Sequence, residues 1–130
     1  MQNRSKYLGC HILVVDDDPM NCELVKLRLA KLGLNITSAQ DGIEAVALVR
    51  TQNFSLILMD IQMPNLDGVQ ATRQIRQLPN GIGKPILATT ANPTALQCEH
   101  YLEAGVTGFI VKPFAAADLL EAVYRWIEPP

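Results

Sequence analysis

His11-Ile12-Leu13-Val14-Val15-Asp16-Asp17-Asp18-Pro19 sets how the rest of the chain is read. Its first five residues suit a strand, apolar on both faces and therefore buried inside a parallel sheet. Three acids end the run. Asp before Pro is a helix start, because the Asp18 carboxylate can accept from first-turn amides and Pro19 has no amide to leave unsatisfied. A buried strand passing through a short acidic turn into a helix is the opening half of a β-α-β unit.

Working outward, the alternation recurs. Further short apolar runs lie at residues 35–39, 56–59, 85–89 and 108–111, making five strands with residues 11–15. Helical patterns lie between them at residues 19–32, at 42–51 behind Asp41, at 68–77 behind Asp67, and at 93–104 with Pro93 in the first turn. The last, 116–127, sets Leu119, Ala122, Val123, Trp126 and Ile127 on one stripe, so Trp126 reads as packing. Gly81-Ile82-Gly83 reads as a flexible turn. Strict alternation with right-handed crossovers gives an α/β three-layer sandwich, a five-stranded parallel sheet with helices on both faces. Strand order 2-1-3-4-5 places the topological switch point between strands 1 and 3, where ligands bind beyond the carboxyl ends.

Composition narrows the function classes. The 130 residues carry a net charge of -2, with 48% hydrophobic and 18% charged residues, a globular balance for one domain. Residues 10–128 read as that domain and 1–9 as a linker or expression remnant without a secretory signal. No apolar run approaches the roughly 18 residues of a membrane span, and no basic cluster marks a nucleic-acid face. Cys10, Cys22 and Cys98 lack disulfide or zinc spacing, so they read as reduced, mostly packed thiols of a soluble cytoplasmic protein.

The chemistry gathers at the switch point. Strand 1 ends in Asp16 and Asp17, and strand 3 ends in Asp60. Crowded carboxylates raise one another's pKa unless a cation sits among them, and an open all-oxygen site suits Mg²⁺. Asp18 reads as the helix cap alone. Strand 5 ends in Val111-Lys112-Pro113-Phe114, which puts an ammonium over the same edge, either to settle the acids or to hold phosphoryl oxygens. Strand 4 ends in Ala88-Thr89-Thr90-Ala91, where Thr90 offers a hydroxyl to the site or simply suits a strand end. His11 and His100 fall away from the crevice, so both read as ordinary packing or exposed residues.

Val14-Val15-Asp16-Asp17-Asp18-Pro19, Met59-Asp60-Ile61-Gln62-Met63-Pro64-Asn65-Leu66-Asp67-Gly68, Thr89-Thr90-Ala91-Asn92 and Val111-Lys112-Pro113-Phe114 together resemble the receiver domain of two-component response regulators and hybrid histidine kinases. The likeness runs from about Cys10 to Ile127 and implies the flavodoxin-like receiver fold. It implies Asp60 as phosphoacceptor, Asp16 and Asp17 as metal-binding acids with Asp17 the direct ligand, and the Gln62 carbonyl completing the Mg²⁺ shell. Thr90 becomes the switch hydroxyl, Lys112 the phosphoryl clamp and Phe109 the aromatic switch. The responsive surface is helix 4, strand 5 and helix 5. Gln62 and Asn92 flank the approach of hydrolytic water, and Pro93 stiffens a segment that often moves. The implied partner is a histidine kinase or histidine phosphotransfer domain, with no direct nucleic acid or membrane contact and a monomer or weak dimer. The wording of the motifs favours the receiver of a hybrid sensor kinase over a free-standing regulator.

Two other classes share parts of the pattern. A haloacid-dehalogenase-type phosphatase also uses an Asp nucleophile with Mg²⁺, but it needs a second acid where this chain has Gln62. A protein-docking scaffold on the same fold would need none of the site residues.

Overall fold

The computed structural model describes Tyr7 and residues 9–63, 66–91 and 93–127. Five strands form one sheet: β1 (His11–Val15), β2 (Asn35–Ala39), β3 (Leu56–Asp60), β4 (Ile86–Thr90) and β5 (Gly108–Val111). All are parallel, in the order β2-β1-β3-β4-β5. The helices are α1 (Pro19–Leu29), α2 (Gly42–Thr51), α3 (Gly68–Ile75), α4 (Ala95–Ala104) and α5 (Ala116–Trp126).

Side chains that alternate along the central strands build two cores. Leu13, Val15, Ile57, Met59, Ile86 and Ala88 pack under α2, α3 and α4, against Val46, Val49, Ile75 and Tyr101. Ile12, Val14, Leu56, Leu58, Leu87 and Ile110 pack under α1 and α5, against Val25, Leu29, Leu119, Val123 and Ile127. Both faces of the sheet are thus covered, which is why residues 12–15 of β1, 56–59 of β3 and 86–88 of β4 are apolar on both sides rather than alternating with polar residues. Tyr7 is buried on the α1/α5 side, its ring 6.3 Å from that of Tyr124. Trp126 is half-buried against the same core, with the Arg125 guanidinium 5.5 Å above its ring.

The helix starts follow the acids. Asp18, Asp41 and Asp67 accept from Met20, Glu44 and Gln70 amides respectively, satisfying donors that the first turn leaves open. Other boundaries shift from those read in the sequence. α1 tightens into a 3-10 turn over Ala30–Leu32 before Gly33 takes φ 78°. α3 stops at Ile75, short of Gln77. β4 starts and ends one residue later than expected, so Thr90 is its last residue. Pro93 is not in the first turn of α4: Thr94 is the cap, in a reciprocal pair with Gln97 (Thr94 N to Gln97 Oε1 2.9 Å, Gln97 N to Thr94 Oγ1 3.2 Å). The reciprocal pair satisfies the Gln97 and Thr94 amides together, so the helix opens after Thr94, two residues on.

Residues 79–81 form a 3-10 turn, and the Gly81-Ile82-Gly83 segment that follows it is fastened at its first residue. Arg76 Nη1 donates to the carbonyls of Gly81 and Lys84 at 2.6 and 2.7 Å, while Nε and Nη2 donate to that of Gly105 at 2.9 and 2.6 Å. One guanidinium therefore ties the end of α3 to the turns before β4 and β5, at the edge of the sheet opposite the acids.

Candidate functional site

Parallel strands deliver their carboxyl ends to one edge. Val15 pairs with Met59 and Asp60 with Thr89, so the residues just past β1 and at the end of β3 are neighbours. Carboxylate oxygens of Asp16, Asp17 and Asp60 all lie within 4.8 Å of one another. Asp16 and Asp60 are buried, at 4% and 5% exposure, whereas Asp17 faces solvent. Lys112, just past β5, reaches over with Nζ 3.2 Å from Asp16 Oδ2 and 3.4 Å from Asp60 Oδ1. Its backbone amide is fixed by the Thr90 carbonyl at 2.8 Å.

Asp16 and Asp60 have further donors. Asp16 Oδ1 accepts from the Asp18 amide at 2.9 Å, and Asp16 Oδ2 accepts from the Asn21 side-chain amide at 3.2 Å. Asp60 Oδ1 accepts from the Gln62 amide at 3.2 Å. Burial raises the pKa of Asp60 above the usual carboxylate value; Lys112 opposes this, and Asp16 adds to it. Burial of Lys112 disfavours its charge, yet Asp16 and Asp60 together outweigh burial and hold its pKa above the ordinary value. The resting site therefore has one ammonium shared between two buried acids and a third acid open to solvent, a net negative, all-oxygen pocket. That donor set fits a hard divalent cation that keeps several waters, Mg²⁺ among them.

Thr90 is buried at the end of β4, on the same edge. Phe109 is half-buried on β5, its ring 6.2 Å from that of Tyr101 on α4. Gln62 is exposed beside an open cleft of about 560 Å³ lined by Asp17, Gln62, Met63 and Asp67. Asn92 lies outside the described residues. Asp18 caps α1, as read from the Asp-Pro pair. The His11 ring lies tilted against that of Phe54, centroids 4.7 Å apart, and shares a 2.6 Å hydrogen bond with Thr37, and His100 is exposed on α4. Cys10 and Cys22 are buried free thiols and Cys98 is partly covered. Burial, with Asp16 close by, pushes the Cys22 thiol up to about 11, an unreactive state.

Asn21 was not singled out by sequence. The signal was present: with α1 opening at Pro19, its third residue lies on the turn that faces back toward the end of β1.

The model of the response regulator receiver domain family matches residues 12–124, and the chain belongs to that family. It is 34% identical over 118 residues to sensor histidine kinase GacS of Pseudomonas protegens, which covers 88% of this chain and 13% of the relative. The chain thus spans a small fraction of the length of such kinases. Among solved structures, the receiver domain of sensor histidine kinase PA1611 from Pseudomonas aeruginosa is 42% identical with a TM-score of 0.83, over 91% of this chain and 97% of that one. That structure holds a magnesium ion in its active-site cleft. Chemotaxis protein CheY4 of Vibrio cholerae is 29% identical with a TM-score of 0.87, over 91% and 98%. The chain is a receiver domain of two-component signalling with the doubly wound fold of that family.

Proposed function

We propose that this receiver accepts a phosphoryl group on Asp60 from a phosphohistidine of a histidine kinase or histidine phosphotransfer domain. The observation that carries the reading is Lys112 Nζ bridging Asp16 and Asp60, with Asp17 completing the acid cluster. An Asp60 carboxylate oxygen attacks phosphorus in line, the new O–P bond forms as the donor's N–P bond breaks, and the leaving imidazole nitrogen takes up a proton. Asp16, Asp17, Asp60 and the Gln62 carbonyl would hold Mg²⁺, which when bound neutralises charge on the equatorial oxygens. Lys112 leaves its carboxylate partners for one of those oxygens, supplying charge where it develops.

Thr90 then donates to another phosphoryl oxygen, and Phe109 repacks toward the space this opens, altering α4, β5 and α5. We assign the functional unit to residues 10–128, as a relay receiver of a hybrid sensor kinase acting in the cytoplasm as a monomer or weak dimer, with no direct nucleic-acid or membrane contact. The kinship with GacS supports that context. Among the described residues no helix is long and apolar enough to cross a membrane. The acid-free position two residues after Asp60, where Gln62 stands, speaks against a phosphatase that must protonate its leaving group.

Acetyl phosphate with Mg²⁺ is expected to add one phosphoryl group, seen as a single mass shift. Asp60→Asn or chelation of the metal should abolish it. Uptake that survives Asp60→Asn, or none by wild type from acetyl phosphate or a phosphorylated donor domain, overturns the reading.

A further inference from the structure

We infer that Asn21 is a positioning residue for phosphoryl transfer, a substitute donor that lets Lys112 leave Asp16 for the incoming phosphoryl group. This rests on the phosphoacceptor reading of Asp60. Asp16 Oδ2 is shared by two donors from distant parts of the chain, Lys112 Nζ at 3.2 Å and Asn21 Nδ2 at 3.2 Å. Its other oxygen is held by the Asp18 amide. A carboxylate at 4% exposure cannot turn to bulk water for a replacement. Stripping a buried anion of a hydrogen bond is costly, so the ammonium is released more readily if a neutral donor stays behind on the same oxygen beside the Mg²⁺ that Asp16 would help to hold.

The amide is well placed to stay. Asn21 is in the first turn of α1, whose start is fixed by Asp18 Oδ1 accepting from Met20 N at 3.0 Å. Its backbone amide donates to the Asp18 carbonyl at 3.1 Å. Being neutral, the side chain satisfies Asp16 without competing for the phosphoryl charge. Lys112 is then the mobile donor: a flexible stem, part exposed, with Asp60 already 3.4 Å away.

The role makes a split expectation. With Asn21→Leu, similar in size but without a donor, Lys112 is held more tightly on Asp16, and the rate constant for uptake from acetyl phosphate at saturating Mg²⁺ falls about ten-fold. Mg²⁺ affinity, read from backbone amide shifts in a titration with the metal alone, stays equal or tightens, because no acid is lost. Asn21→Gln, which keeps the amide, recovers more of the rate than Leu does. Asn21→Ala repeats the Leu result should leucine disturb the fold, which the thermal unfolding midpoint reports. If the variants bind Mg²⁺ weakly and saturating metal restores the wild-type rate, Asn21 merely shapes the acid cluster and the inference fails. If wild type takes up phosphate and Asn21→Leu matches it, the inference fails alone. If wild type takes up none, the phosphoacceptor reading falls first.

Discussion

A Cβ on Gly68 would lie 2.4 Å from the carbonyl oxygen of Asp60 and 2.8 Å from Cα of Ile61. Both neighbours are backbone, so neither can rotate aside. The Gly68 amide also donates to the Ile61 carbonyl at 3.1 Å, closing the loop between β3 and α3 onto itself. Glycine is needed there for close approach, and the residue it makes room for is the candidate phosphoacceptor. Gly68→Ala is expected to lower stability by about 1–3 kcal/mol in urea unfolding, the usual cost of forcing an extra methyl into packed structure. Because the strain falls on the backbone of Asp60, phosphoryl uptake should fall with it. A variant with the wild-type unfolding midpoint and uptake would show the contact to be slack.

Among the elements, the β1–β2 pair carries a titratable link. His11 on β1 is hydrogen-bonded to Thr37 on β2 and in tilted contact with Phe54, and burial lowers its pKa below 6.5. The unfolded chain therefore binds the proton more readily than the folded one. The contribution to stability is complete above 6.5 and is lost as pH falls through 6.5 toward the lower folded value, so stability rises with pH in that window. A proton NMR titration should find the His11 ring titrating below 6.5; a value at or above it removes the effect. The helix starts belong to the same scale: each of α1, α2 and α3 opens behind an Asp visible in the sequence, whereas α4 opens behind Thr94, which is paired reciprocally with Gln97.

For the whole molecule, a parallel sheet brings the ends of β1, β3, β4 and β5 to one edge, so a ligand there touches several elements at once. Mg²⁺ bound to the folded site and not to the open chain should stabilise the fold by about 2.7 kcal/mol at a hundred times its Kd, so that the unfolding midpoint rises with metal concentration. Asp17→Asn should remove most of that gain in thermal unfolding with and without the metal. An unchanged response in Asp17→Asn would take Asp17 out of the metal shell. The chain alone determined the order of elements, four helix starts, the strand order and the acids at the switch point. These depend on near neighbours: side-chain periodicity, cap chemistry and the rule of right-handed crossovers. Only the tertiary structure decided that Lys112 spans Asp16 and Asp60, that Asn21 shares Asp16 Oδ2, and that Arg76 fastens the turns before β4 and β5. Lys112 and Asp16 are 96 positions apart, and their 3.2 Å contact depends on the register of strands and the packing of helices, which no local window of sequence contains.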